Sequence, residues 1–178
     1  MGRRATAHAG HERCWHNVLR MDSDLRDRLR ELSISVAPLP DASVDRVEAA
    51  LDTTLPMAVR AALGTWSGGQ SLGSAHLRSW DPETEGSWSI VDETLRVRRA
   101  LGWPQRFVYL AEEGEHVIAM DTVTGSVAAF SSTRAPTLRD GSWPPGGAEV
   151  EVWPDYLTFL LAMCDEEAEM QAEDRPFD

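Results

Sequence analysis

The order of hydrophobic periodicities along the chain predicts an α+β fold, with N-terminal helices and a C-terminal helix packed on an antiparallel β-meander sheet. Three observations carry this. Apolar residues recur at helical spacing through the first third of the chain. Three short apolar runs between residues 106 and 131 are joined by connections of three and four residues, short enough to force antiparallel neighbours. A strongly apolar helical stripe then returns after Pro154.

The elements follow in order. Leu25, Leu29 and Leu32 recur at i, i+4, i+7 from Asp22 onward, and Pro38-Leu39-Pro40 closes that helix. Ser43 is the expected N-cap of a second helix with Val44, Val47 and Leu51 on one face. Leu55-Pro56 opens a third, because proline fits the first turn where its missing N–H costs nothing. Its buried stripe is Val59, Ala62, Leu63 and Trp66, and Gly68-Gly69 ends it. A loop-rich stretch from Gln70 to Ser87 holds one strand around Ala75 to Trp80. A helix follows from about Ser89 to Leu101, with Asp92 and Glu93 in its first turn and Arg98 and Arg99 in its last, the arrangement a helix dipole favours.

The meander comprises Arg106 to Ala111, Glu115 to Asp121 and Ser126 to Ser131. Arg134 to Ala148, rich in Pro and Gly, reads as a long loop, and Glu149 to Trp153 as a returning edge strand. Leu157, Leu160, Leu161 and Cys164 form one face of the last helix. From Asp165 to Asp178 there are seven acids against one Arg, the pattern of a solvated helix extension fraying into a tail. The chain thus divides into a flexible segment 1–21, one domain over 22–164 and an acidic extension over 165–178. Met21, standing just before the first regular pattern, is a candidate start codon.

At 178 residues the chain has the length of one domain. A domain of this size buries roughly two thirds of its unfolded surface and needs neither disulfide nor metal to hold together. Cys14 and Cys164 lie far apart, with no Cys-x-x-Cys pair, which argues against a disulfide framework or a zinc ribbon. There is no signal peptide pattern and no run of apolar residues long enough to span a bilayer, so a cytoplasmic protein is expected. The net charge is −12, and all 17 basic residues are Arg. Gripping a nucleic-acid backbone needs clustered positive charge, so nucleic acid is excluded as the expected partner and a basic protein suits the balance better.

Catalytic patterns are weak. His8, His11, Cys14 and His16 offer four potential metal ligands in nine residues, but their spacing matches no zinc motif. Gly68-Gly-Gln-Ser-Leu-Gly73 follows a helix, where a phosphate cradle needs strand, loop and then helix, and it lacks Lys. No nucleophile elbow occurs, and His76 and His116 each stand alone in an expected strand. No catalytic residue, metal or cofactor is therefore expected. Trp is the unusual residue type. Trp80 and Trp88 bracket Asp81, Glu83 and Glu85, and aromatics beside acids on a loop suit a docking surface, unless both rings close the core beneath it. Glu112, Glu113 and Glu115 form a second acidic patch at a hairpin tip, readable also as a solvated turn.

The run Val47-Glu48-Ala-Ala-Leu51-Asp-Thr-Thr-Leu55-Pro56, followed by Trp66-Ser-Gly68-Gly69, resembles the opening of the SUKH superfamily. Val117-Ile-Ala-Met-Asp121 with Gly125-Ser-Val127 is similar to its strand–Asp–turn–Gly–Val hairpin, and Tyr156-Leu-Thr-Phe159-Leu160 to the entry of its last helix. The likeness covers about residues 43–164. It implies a non-enzymatic binding scaffold. Many bacterial members resemble immunity proteins encoded beside secreted polymorphic toxins, and fungal relatives include a cell-wall-synthesis regulator. The expectation is therefore an immunity protein that occludes a basic cognate toxin, the alternative being an intracellular scaffold or regulator of the same fold. Trp80, Asp81, Glu83, Glu85, Trp88, Glu112, Glu113 and Glu115 are the expected contacts. Oligomeric state is left open.

Overall fold

The structure is a computed structural model and describes residues 21–147 and 149–173. The candidate metal ligands His8, His11, Cys14 and His16, the tail reading of 1–21 apart from Met21, which is helical, and the end of the acidic tail lie outside the described residues. The helices are α1 (residues 21–31), α2 (Asp41–Leu51), α3 (Met57–Leu63), α4 (Ile90–Leu101) and α5 (Tyr156–Glu173). The strands are β1 (Ser71–Leu72), β2 (Ala75–Leu77), β3 (Phe107–Glu113), β4 (His116–Asp121), β5 (Val127–Ser131) and β6 (Glu151–Trp153). They form one six-stranded antiparallel sheet in the order β1-β2-β3-β4-β5-β6. Helices and sheet segregate along the chain, as in an α+β fold. Among the described residues no helix is long and apolar enough to cross a membrane.

Several boundaries depart from expectation for local reasons. Helix α2 begins at Asp41 after Pro40, and Ser43 lies inside its first turn, its N–H bonded to the Pro40 carbonyl at 2.8 Å. Ser43 is therefore not the cap. Helix α4 does start behind Ser89, whose hydroxyl accepts the Asp92 N–H at 3.2 Å, and ends at left-handed Gly102. The β3–β4 hairpin turns on Gly114-Glu115 alone, since Glu113 already pairs with His116. Gly114 supplies the positive φ that a two-residue turn needs at its first central position. Both glutamates assigned to the turn, Glu112 and Glu113, therefore belong to β3.

The stretch read as a long loop contains a 3₁₀ segment over Ser132–Asp140. Three residues per turn put Ala135 and Leu138 on the same side, and both are buried against the sheet. Trp103 Nε1 donates to the Ala135 carbonyl at 2.7 Å, and Trp143 stacks on Phe107. The sheet is consequently covered on two faces. The larger core joins α1, α2, α3 and α5 to Val108, Leu110, Ile118, Met120 and Val127. The smaller one gathers Val97, Trp103, Phe107, Tyr109, Ala119 and Phe130 under the 3₁₀ segment. In α5 the buried stripe is wider than a single face: Tyr156, Leu157, Phe159, Leu160, Met163 and Cys164 are all inside, while Leu161 is half-buried.

Strand β3 has two local devices that shape the surface. Between Tyr109 and Ala111 the pairing with β4 shifts by one residue, a bulge that puts both Leu110 and Ala111 into the larger core. Beyond the end of β2, the exposed edge of β3 is met by side chains of α4 instead of a strand. Thr94 Oγ1 accepts the Tyr109 N–H at 3.1 Å, and Arg98 Nη2 donates to the Phe107 carbonyl at 3.2 Å and Nη1 to the Leu51 carbonyl at 2.6 Å. Burial of this guanidinium pulls its pKa below the ordinary value.

Candidate functional site

The loop from Ser79 to Ser89 is pinned along its length. The Ser79 N–H bonds the Trp88 carbonyl at 2.7 Å, and the Ile90 N–H returns to the Ser79 carbonyl at 2.9 Å. The Gly86 N–H donates to Asp92 Oδ2 at 2.7 Å. Asp81 is half-buried and acts locally: its Oδ1 accepts the Glu83 N–H, the short-range bond that makes Asp a turn former. Glu83 is exposed and pairs with Arg46 of α2 at 2.7 Å, while Glu85 is exposed.

The two tryptophans that bracket this loop have opposite fates. Trp80 is fully buried; its indole N–H donates to the Tyr156 hydroxyl at 3.0 Å and its ring meets Tyr156 edge-on. The expectation of Trp80 as a contact residue is therefore corrected: it is a core residue with its polar atom satisfied internally. Burial drives the Tyr156 hydroxyl pKa up, so this phenol is a neutral hydrogen-bonding group. Trp88 remains 47% exposed, the most open aromatic among the described residues.

Trp88 is backed by Arg78, a residue the sequence does not single out. The guanidinium carbon of Arg78 lies 5.7 Å from the Trp88 ring centroid and 5.8 Å from that of Tyr109, within cation–π range of both. Its Nη2 meets Glu112 Oε1 at 3.0 Å, and the Tyr109 hydroxyl donates to Glu112 Oε2 at 3.3 Å. Burial, with the nearby Glu112 carboxylate, raises the Tyr109 pKa. Arg96 pairs with the buried Glu93 at 2.8 Å beside this cluster, and the hydrogen bond to Glu93 raises the pKa of its guanidinium. Arg78 is itself only 6% exposed. It thus joins Trp88 of one predicted patch to Glu112 of the other. An Arg in the run Ala75-His76-Leu77-Arg78 looks like an ordinary outward strand residue, and nothing in that run marks it as buried.

Glu113 goes elsewhere. It pairs with His116, and alternation along β3 places it on the face opposite to Glu112. There Glu113, His116, Ala129, Glu149, Val150 and Glu151 line an open groove of about 390 Å³. Glu115 is exposed in the adjoining turn. The predicted contact residues therefore divide: Trp88 and Glu112 share one surface, while Glu113 joins two carboxylates of the β6 region on the other face.

Two further constellations bear on chemistry. Ser71 Oγ lies 2.7 Å from His76 Nδ1 across β1 and β2, with both residues exposed. This hydroxyl–imidazole contact was not foreseen, because Ser71 falls in the glycine-rich stretch read as a loop. Cys164 is buried, and burial pushes its thiol up to about 12, so it is poorly suited to nucleophilic work. Among the described residues no group of three or more His, Cys, Asp and Glu is placed to hold a metal ion. No family model matches the chain, and no curated protein matches it either.

Proposed function

We propose that this is a non-enzymatic binding protein, an immunity protein that acts in the cytoplasm and neutralises a cognate secreted toxin by covering its active cleft. The observation that carries this reading is the presentation of Trp88. A half-exposed indole sits on a loop fixed at both ends, backed by a buried guanidinium and neighboured by Glu85 and Glu112. Rigid tryptophans of this kind act as interface anchors, because little side-chain freedom is lost when they are covered. The net charge of −12 adds long-range attraction toward a basic partner, and intracellular toxins that act on nucleic acid are basic.

In this mechanism carboxylates steer the encounter and Trp88 fixes the final pose. Arg78 is a positioning residue: it holds Trp88 outward and keeps the Glu112 carboxylate beside it. The resemblance of the 43–164 region to the SUKH superfamily favours the same reading.

The test is co-expression with the toxin domain encoded by a neighbouring gene, scored by cell survival. The wild-type chain protects; Trp88→Ala, whose ring contributes little to the core, folds normally and loses protection; the association rate falls as salt is raised. A cell that survives equally with Trp88→Ala removes Trp88 as the anchor. Absence of any protection turns the reading toward a scaffold or regulatory protein of the same fold.

A further inference from the structure

Strand β6 closes one end of the sheet: it pairs with β5 through Ala129–Glu151, Ala128–Val152 and Val127–Trp153, and no described strand lies beyond it. An unpaired strand edge is a template for another extended segment. The opposite end is different. Strand β1 is two residues long, and its turn is tied to α5 by the Gly73 N–H donating to Glu167 Oε2 at 3.0 Å.

The surface beside β6 has a defined chemistry. Residues opposite each other in antiparallel strands face the same way, so Glu113 and His116, and Ala129 and Glu151, share the side of the sheet that carries the helices. Together with Glu149 they give the groove three carboxylates and one imidazole, with no Arg among its lining residues. On the other side of β6, Val152 is 46% exposed. The edge is therefore acidic on one side and apolar on the other.

We propose that the β6 edge is a docking site for an extended segment of another protein that carries Arg or Lys at alternate positions and small apolar residues between them. The added strand pairs with the outward main-chain groups of β6. Its basic side chains point toward Glu151 and Glu149, and its apolar ones lie beside Val152. A second copy of this chain is a poor occupant, because pairing two β6 edges brings Glu149 and Glu151 of both copies together. The proposal goes beyond toxin neutralisation and holds whichever protein bears the segment.

The test titrates the full chain with a capped peptide alternating Arg and Val, against two controls: the same peptide N-methylated at alternate residues, and a Glu–Val peptide. Calorimetry gives the affinity, and amide hydrogen exchange locates the site. The expected result is binding of the Arg–Val peptide with slowed exchange in residues 151–153. N-methylation should abolish it, and E149Q/E151Q, at exposed positions that leave the fold intact, should weaken it about fivefold to tenfold. Equal affinity for the N-methylated peptide, protection confined to other elements, or no binding at all would overturn the proposal. Binding that appears only after removal of residues 1–20 would instead assign the edge to this chain's own Arg-bearing segment, and would equally overturn it. Toxin neutralisation is read by survival and this site by peptide binding, so either can fail alone.

Discussion

The Trp80 indole N–H points at the Tyr156 hydroxyl, 3.0 Å away, where both rings are enclosed by the larger core. This bond fastens the start of the pinned loop to the first turn of α5. Replacing Tyr156 by Phe removes one oxygen, opens almost no cavity and leaves the indole donor buried without a partner. Such a loss costs about 1–3 kcal/mol. The midpoint of urea denaturation should fall accordingly with an unchanged slope; an unaltered midpoint would show that the indole has found water.

A second prediction concerns the edge of β3. Thr94 is fully buried and its hydroxyl satisfies the Tyr109 N–H. Thr94→Val keeps the shape and deletes the acceptor, so it should destabilise by about 1–3 kcal/mol, while Thr94→Ser should recover most of that loss. Amide exchange at Tyr109 should accelerate in the Val variant and not in the Ser variant.

Two glycines separate backbone strain from crowding. Gly86 has a φ of +71° and open space around the position of a Cβ, so Gly86→Ala carries only the left-handed penalty of about 1–2 kcal/mol. Gly68 has a φ of +76°, and a Cβ there would stand 2.5 Å from the Arg78 carbonyl oxygen. Gly68→Ala must therefore displace main chain as well and should lower thermal stability clearly more than Gly86→Ala. Equal melting temperatures would refute this close approach.

The fourth prediction is a pH dependence. Folding raises the Cys164 thiol from its reference value of 9.0 to about 12, chiefly by burial. Above pH 9 the unfolded chain gives up this proton first, so the folded state holds more protons and stability falls as pH rises toward 12. Tyr109 and Tyr156, also raised by burial, act with the same sign above their reference value of 10.0. Cys164→Ala should be less stable at neutral pH through lost packing, yet show a flatter decline just above pH 9. Thiol labelling in a Cys14→Ser background should track global unfolding.

The helices were legible in the sequence because their information is local. Val44, Val47 and Leu51, or Ser89 and Gly102, mark a face or a boundary without reference to the rest of the chain. The meander was legible because short connections leave little topological choice. What sequence could not reveal was which side of the sheet each polar residue would join. Glu112 and Glu113 read as one patch, but they belong to different surfaces once both lie in β3. Arg78 is buried through Trp88, Tyr109 and Glu112, three residues spread over 25 positions of chain. Trp80 and Trp88 have similar neighbours in sequence and differ only in what Tyr156 and solvent offer them. The 3₁₀ segment was hidden by Pro136 and by an i, i+3 pattern of just two apolar residues.

The bulge at Leu110 has a consequence for how such a surface can change. Leu110 and Ala111 already face the same side, so loss of the extra residue would restore a regular ladder and leave Glu112 beside Arg78 and Glu113 at the groove. Were β3 instead to alternate strictly with Leu110 kept, Glu113 would take the counter-ion's place beside the buried cation and Glu112 would move to the groove. The kink thus acts as a parity lock: it absorbs a one-residue change in strand length, and a lineage could lose a codon there without disturbing either surface.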